Sequence, residues 1–356
     1  MGAGPILMPV DGPHPLAAPL RNQFQTCTNG RSQLHLLLMT SQNLVFDEDF
    51  PDPSILRAPD GHYYAYATQT KRQGVILNFQ VARSANLTDW EHLGEAMPVK
   101  PLWAATTQRF WAPHVVLHAG TYYFYYSAQP DTPGAGLSLA VATSPSPAGP
   151  FTDIGRPLLP GEGFLNIDPM QFDDPATGRR WLFFGSGFGP IRVRELAEDR
   201  VSFLLDREER ELIQPRQPGD PARYGHLIEA SWLRHKPEVN GGWYYLYYSG
   251  DNCCGPDAHY GLLVARSRHL LGPYETLAQA TGGEGVILEE DARWLAPGHH
   301  CIYTDEAGQD WLFYHAIDRL RPTFDAVTDE QGYSRRVMLR ARLDYSAADG
   351  WPVVRG

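Results

Sequence analysis

Hydrophobic and polar positions along the chain fall into one recurring phrase, a glycine turn followed by a short aromatic strand. It reads Gly61-His-Tyr63-Tyr-Ala-Tyr-Ala, Gly120-Thr-Tyr122-Tyr-Phe-Tyr-Tyr-Ser, Gly178-Arg-Arg-Trp181-Leu-Phe-Phe-Gly-Ser, Gly242-Trp-Tyr244-Tyr-Leu-Tyr-Tyr-Ser and Gly308-Gln-Asp-Trp311-Leu-Phe-Tyr-His. The anchors Tyr63, Tyr122, Trp181, Tyr244 and Trp311 stand 59, 59, 63 and 67 residues apart. Self-similarity at so long a period marks a repeat architecture. A second apolar strand follows most copies, as Val81-Ala-Arg-Ser, Val141-Ala-Thr-Ser, Ile191-Arg-Val-Arg and Val264-Ala-Arg-Ser. A further segment often opens with Leu87-Thr-Asp-Trp90, Gly149-Pro-Phe151 or Gly272-Pro-Tyr274. Each unit therefore holds about four short strands, the content of one propeller blade. A β-sandwich also strings short strands together, but nothing in it repeats one phrase five times. The pattern predicts an all-β fold, a five-bladed β-propeller forming a single domain over residues 44–356. Residues 1–43, rich in Pro, Gly and Gln/Asn, fall outside the repeat and read as an irregular N-terminal arm.

In a propeller the first strand of each blade lines the central axis, so residues at its start converge although they are distant in sequence. Counting back from the aromatic anchors, those positions are Asp52, Trp111, Asp168, Glu229 and His299, at 11, 11, 13, 15 and 12 residues respectively. A single Asp-Pro, as at Asp52 and Asp168, marks a turn more often than a site, and Trp111 or His299 alone reads as core. The shared register is what raises all five. Three carboxylates, a Trp and a His would then face one another. Glycoside hydrolysis needs one carboxylic acid to protonate the leaving oxygen and a second carboxylate to activate water or attack the sugar. A third can raise the acid's pKa through like charge. Asp47, Glu48, Asp49, Asp173, Asp174 and Glu238 fall off the register and read as solvated loop charges.

Charge narrows the partners. With 41 acidic against 30 basic residues the net charge is -11, and no basic stripe is interleaved with aromatics. Nucleic acid and anionic membrane are therefore poor partners. A neutral, hydroxyl-rich ligand suits a chain with 12% aromatic residues, because a flat ring packs on the apolar face of a sugar. The longest apolar run near the start, residues 36–39, is too short for a membrane span or a signal h-region. That favours a cytoplasmic protein, and a secreted one if the start has been processed. Cys27, Cys253, Cys254 and Cys301 are too few for a disulfide scaffold and lack paired CxxC spacing, which argues against structural zinc.

The five register phrases, Phe50-Pro-Asp52-Pro-Ser, Phe110-Trp111-Ala-Pro-His114, Asn166-Ile-Asp168-Pro-Met, Leu227-Ile-Glu229-Ala-Ser and Pro297-Gly-His299-His-Cys, taken in this order, resemble glycoside hydrolase family 43 from about Asp49 to the C-terminus. The resemblance implies a five-bladed propeller that hydrolyses with inversion, with Asp52 as general base, Glu229 as general acid and Asp168 as pKa modulator. It also implies that His299 ligates a hydrated metal ion, most often calcium, with no organic cofactor. One imidazole is an unusual ligand for calcium, so water would supply most of the shell. The phrases Tyr248-Ser-Gly-Asp-Asn-Cys253-Cys254-Gly and Gly308-Gln-Asp-Trp311 look most like the arabinan-cleaving members. The expected substrate is thus arabinan or its oligosaccharides. A β-xylosidase or bifunctional enzyme acting on arabinoxylan or xylan fragments is the alternative, and an inactive sugar-binding propeller the remote one. Trp111 and His114 are candidate sugar contacts. His114 stands where many relatives carry Asp, and Glu229-Ala-Ser231 departs from the commoner Glu-Gly-Pro or Glu-Ala-Pro. Cys253 and Cys254 are open to two readings, a vicinal disulfide or two buried thiols.

Overall fold

Each copy of the aromatic phrase folds as the second strand of a four-stranded antiparallel blade. The computed structural model describes residues 44–322 and 335–356; the stretch expected to form an N-terminal arm lies outside them. Blade I comprises Ser54–Arg57, Tyr63–Ala67, Gln80–Ser84 and Trp90–Glu95, and blade II Phe110–His118, Thr121–Ala128, Ser138–Ser144 and Thr152–Asp153. Blade III comprises Met170–Asp173, Arg180–Phe184, Ile191–Leu196 and Arg210–Ile213. Blade IV comprises Ile228–Lys236, Trp243–Asn252, His259–Ser267 and Glu275–Thr276, and Val286–Leu288 pairs with its third strand. Blade V is built from Trp294–Thr304, Asp310–Asp318 and Arg336–Tyr345. Its outer edge is shared by Pro352–Arg355 and by the first described strand, Leu44–Phe46. That pairing joins the first described strand to blade V, closes the ring and leaves only short blade edges exposed.

The repeated glycine has a backbone cause. Gly61, Gly120, Gly178, Gly242 and Gly308 all sit at positive φ, between 69° and 89°, in the turn before the aromatic strand, where a side chain would be strained. The strands themselves are buried on both faces because each blade is sandwiched between two others. In blade I, Tyr64 and Tyr66 pack on blade II with Phe124 and Tyr126, whereas Tyr63 and Ala65 pack on blade V with Phe313 and Met338. Period-two alternation therefore feeds two different cores. The same division recurs around the ring. Tyr125 and Leu139 meet Leu182 and Phe184 between blades II and III. Phe183 and Val193 meet Leu246 and Leu263 between III and IV. Tyr247 and Val264 meet Leu312 and Leu339 between IV and V.

At the axis the backbone does something periodicity alone does not dictate. Asp52, Ala112, Asp168, Ala230 and His299, one residue per blade at the head of the inner strand, are all left-handed, with φ between 38° and 57°. Bulges follow in blades II, IV and V. A bulge of this kind re-aims side chains at a strand end. No helix among the described residues is long and apolar enough to cross a membrane.

Candidate active site

The five strand heads open into one cleft of about 650 Å³. Asp52, Asp168, Glu229, His299 and Trp111 all line it, so the five register positions are brought together as the repeat predicts. The structure does not bring His114 there. It follows the bulge between Trp111 and His114, which turns its ring into a narrow axial channel below, shared with Ser54, Ser231 and His300. There it packs edge-on against Trp232, and burial pushes its imidazole down to about 4, keeping it neutral.

A belt of hydrogen bonds between blades fixes the strand heads. In four of the five blades a residue near the end of the aromatic strand accepts the backbone N–H of the left-handed residue in the next blade. Thr68 Oγ1 accepts from Ala112 at 2.8 Å, Ser127 Oγ from Asp168 at 2.9 Å, Ser249 Oγ from His299 at 2.9 Å, and His315 Nδ1 from Asp52 at 3.2 Å. Between blades III and IV the pattern changes hands. The Ala230 N–H donates to Asp168 Oδ2 at 3.0 Å, and the fully buried Ser186 Oγ has no hydrogen-bond partner.

Asp52 is the most densely supported carboxylate. Its Oδ2 accepts from Thr68 Oγ1 at 2.5 Å, and its Oδ1 lies 3.1 Å from Arg336 Nη1, 3.0 Å from His315 Nδ1 and 3.4 Å from His299 Nδ1. Burial opposes its ionisation. Arg336, His299 and His315 outweigh that and hold the carboxyl well below the usual carboxylate range. Across the cleft the balance reverses. Desolvation pushes Glu229 up to about 7, against a hydrogen bond from Tyr260 and with help from the charges on Asp52 and Cys254. Asp168 is also raised well above its ordinary value, by burial first and then by the like charges of Glu229 and Asp52. His299 Nδ1 is 3.8 Å from Asp168 Oδ2, and burial lowers its pKa. The surroundings thus favour the ionised form of Asp52 and disfavour ionisation of Glu229 and Asp168 across the cleft. Opposite shifts of two carboxyls in one cleft are the electrostatic pattern that acid–base chemistry requires.

Above the carboxylates the wall is aromatic. Trp111 stacks on Phe164 at 6.1 Å with 9° between the planes. Phe164 and Phe188 are 50% and 79% exposed at the cleft lining. Cys253 and Cys254 line the same cleft, half-buried and without a disulfide between them.

Two acids expected as solvated loop charges are not. Asp49 lines the cleft, accepts Arg336 N at 3.0 Å and Thr70 Oγ1 at 2.7 Å, and is raised by burial. Asp174 is buried and accepts from Tyr244 at 2.9 Å. Both were misread because their partners are remote in sequence. Sequence reasoning also passed over Thr68, Ser249, His315, Tyr260 and Arg336. For the first three a signal was in view: the aromatic phrases end in a hydroxyl residue or a His.

A family model described as glycosyl hydrolases family 43 matches residues 41–352. The chain belongs to that family. It is a glycosidase, with the family's propeller beneath the site. The extracellular exo-alpha-(1->5)-L-arabinofuranosidase ArbA of Cellvibrio japonicus is 27% identical over 293 residues, covering 76% of this chain and 79% of that protein. A probable arabinan endo-1,5-alpha-L-arabinosidase B of Aspergillus fumigatus is 28% identical over 302 residues, covering 74% and 77%. Among solved structures, an exo-1,5-alpha-L-arabinanase from a bovine ruminal metagenomic library superposes with a TM-score of 0.68 at 26% identity, covering 87% of this chain and 99% of the other.

Proposed function

We propose that this family 43 member hydrolyses α-L-arabinofuranosyl linkages of arabinan or arabino-oligosaccharides with inversion. The observation that carries the mechanism is the opposed protonation of Asp52 and Glu229 across one cleft. Ionised Asp52 takes a proton from a water as its oxygen bonds to the anomeric carbon. The glycosidic C–O bond breaks, and its electrons and the Glu229 proton go to the leaving oxygen. Asp52 ends neutral and Glu229 ionised, and exchange with solvent resets them. Asp168, held by the Ala230 N–H, keeps a second carboxyl beside the acid and so helps retain its proton. Trp111, Phe164 and Phe188 offer ring faces to the sugars. The names of the arabinan-cleaving relatives support this choice of substrate.

A hydrated cation at His299 is also proposed. No group of three or more His, Cys, Asp or Glu side chains among the described residues is arranged to hold a metal, so only a mostly water-ligated ion fits. With Nδ1 turned to Asp52 and Asp168, His299 has the Nε2 lone pair to offer. Such an ion would favour ionised carboxylates nearby.

Asp52→Ala and Glu229→Gln should each lower kcat on linear arabinan by about 10² to 10⁴, and proton NMR should show the anomer opposite to that of the substrate linkage. Full activity in either purified variant would overturn the assignment. Preference for nitrophenyl xyloside over nitrophenyl arabinofuranoside would move the substrate to the xylan side.

A further inference from the structure

Tyr260 stands in the third strand of blade IV, paired with Asp251 across the sheet, and is fully buried. Its hydroxyl donates to Glu229 Oε1 at 2.7 Å. Little freedom is left to the ring that carries this hydroxyl. It lies parallel to the His315 imidazole, with centroids 5.8 Å apart and 9° between planes. It also rests on Gly298, the residue paired with His315 across blade V, where a Cβ would sit 2.2 Å from Cδ1 and 2.5 Å from Cε1. Only glycine allows that approach. His315 in turn contacts Asp52, so one rigid stack spans from the acid to the base.

We propose that Tyr260 is the positioning residue of the general acid: its hydroxyl occupies Glu229 Oε1 as a donor, which places the transferable proton on Oε2 and supports the carboxylate left behind. A phenol donating to Oε1 occupies one of its lone pairs and makes that oxygen a poorer seat for the proton than Oε2. As the proton leaves Oε2 for the glycosidic oxygen, negative charge spreads onto Oε1 and the hydrogen bond strengthens. Burial, with the nearby charges, keeps the Tyr260 phenol well above its ordinary pKa, so it remains a donor throughout. The other groups that set the proton affinity of Glu229 are Asp52 and Cys254, which raise it, and Arg336, which lowers it. Asp168 shares its like-charge repulsion.

The inference rests on Glu229 being the acid, and the leaving group separates the two. Tyr260→Phe keeps the ring and removes the donor. On linear arabinan, whose leaving sugar needs full protonation, kcat/KM should fall roughly 10- to 100-fold. On a nitrophenyl arabinofuranoside or nitrophenyl arabino-oligosaccharide, whose phenolate departs with little help, it should fall less than about threefold. The alkaline limb of kcat/KM should move upward, because the hydrogen bond that favours ionised Glu229 is gone. Equal losses on both substrates, or an unmoved limb, would overturn the proposal. Should the Phe variant not fold, 3-fluorotyrosine at position 260 keeps the contact with a more acidic donor; the limb should then move downward, and a fixed limb refutes the idea. Glu229→Gln is the control. If it retains activity on arabinan, the acid assignment itself fails; if it behaves as an acid knockout while Tyr260→Phe does not discriminate, only Tyr260 is misassigned.

Discussion

Glu229→Gln should stabilise this protein at alkaline pH while abolishing its use as a catalyst. The folded protein raises the Glu229 carboxyl from an ordinary 4.5 to about 7, chiefly by desolvation, so the fold favours the protonated form. A raised folded-state pKa contributes stability that is present in full below about 4.5 and disappears as pH rises through about 7. At about 1.4 kcal/mol per pH unit, that gap corresponds to about 3 kcal/mol of destabilisation once Glu229 is ionised. Glutamine has the same shape, accepts the Tyr260 hydroxyl and does not titrate. The melting temperatures of the variant and the parent should be nearly equal at about pH 4.5 and differ by on the order of 5 °C, variant higher, at about pH 8.5. Differential scanning calorimetry at the two pH values gives the answer directly. A gap that is constant with pH, or a parent more stable than the variant at the alkaline value, would refute the claim that the fold strains this carboxylate.

Three further outcomes follow from the same geometry. Arg336→Met removes the cation 3.1 Å from Asp52, leaving burial to raise the base. The acid limb of kcat/KM should shift upward and activity near neutrality should drop, as read from a pH–rate profile. Along the interblade belt, Ser127→Ala and Ser249→Ala each strand a backbone N–H and should cost about 1–3 kcal/mol in urea melts. Ser186→Ala removes a hydroxyl with no partner and should be neutral or stabilising.

Much of this was legible because a ring of near-equivalent blades writes its geometry into sequence five times over. Glycine at positive φ marks each blade once, aromatic residues alternating between two interblade cores leave period-two traces, and the strand heads Asp52, Asp168, Glu229 and His299 sit at nearly constant distance from them. The register still blurred by one residue. In blades I, III and V the functional residue is itself left-handed, whereas in blades II and IV Trp111 and Glu229 precede the left-handed alanine. Patterning cannot see that shift, which is also why His114, beyond its bulge, turned away from the cleft. Tyr260 and Arg336 reach the axis from third strands, whose offset from the glycine turn varies with loop length. Asp49 gave no signal, since its partners, Thr70 and the Arg336 amide, lie 21 and 287 residues away.

The belt of amide contacts makes the four reacting or supporting groups unequal in what they require of the polypeptide. Asp168 and His299 take their backbone bearings from the blades that immediately precede them, and Glu229 takes its own from Tyr260 within blade IV. Asp52 takes its bearing from His315 and Arg336, 263 and 284 residues downstream. Within the ring the chain thus passes Asp52 ahead of blade I and reaches the groups that align and ionise it only in blade V. The surroundings that keep Asp52 ionised therefore exist only once blade V has closed on blade I, whereas the backbone contacts of Asp168 and His299 need only one neighbouring blade each.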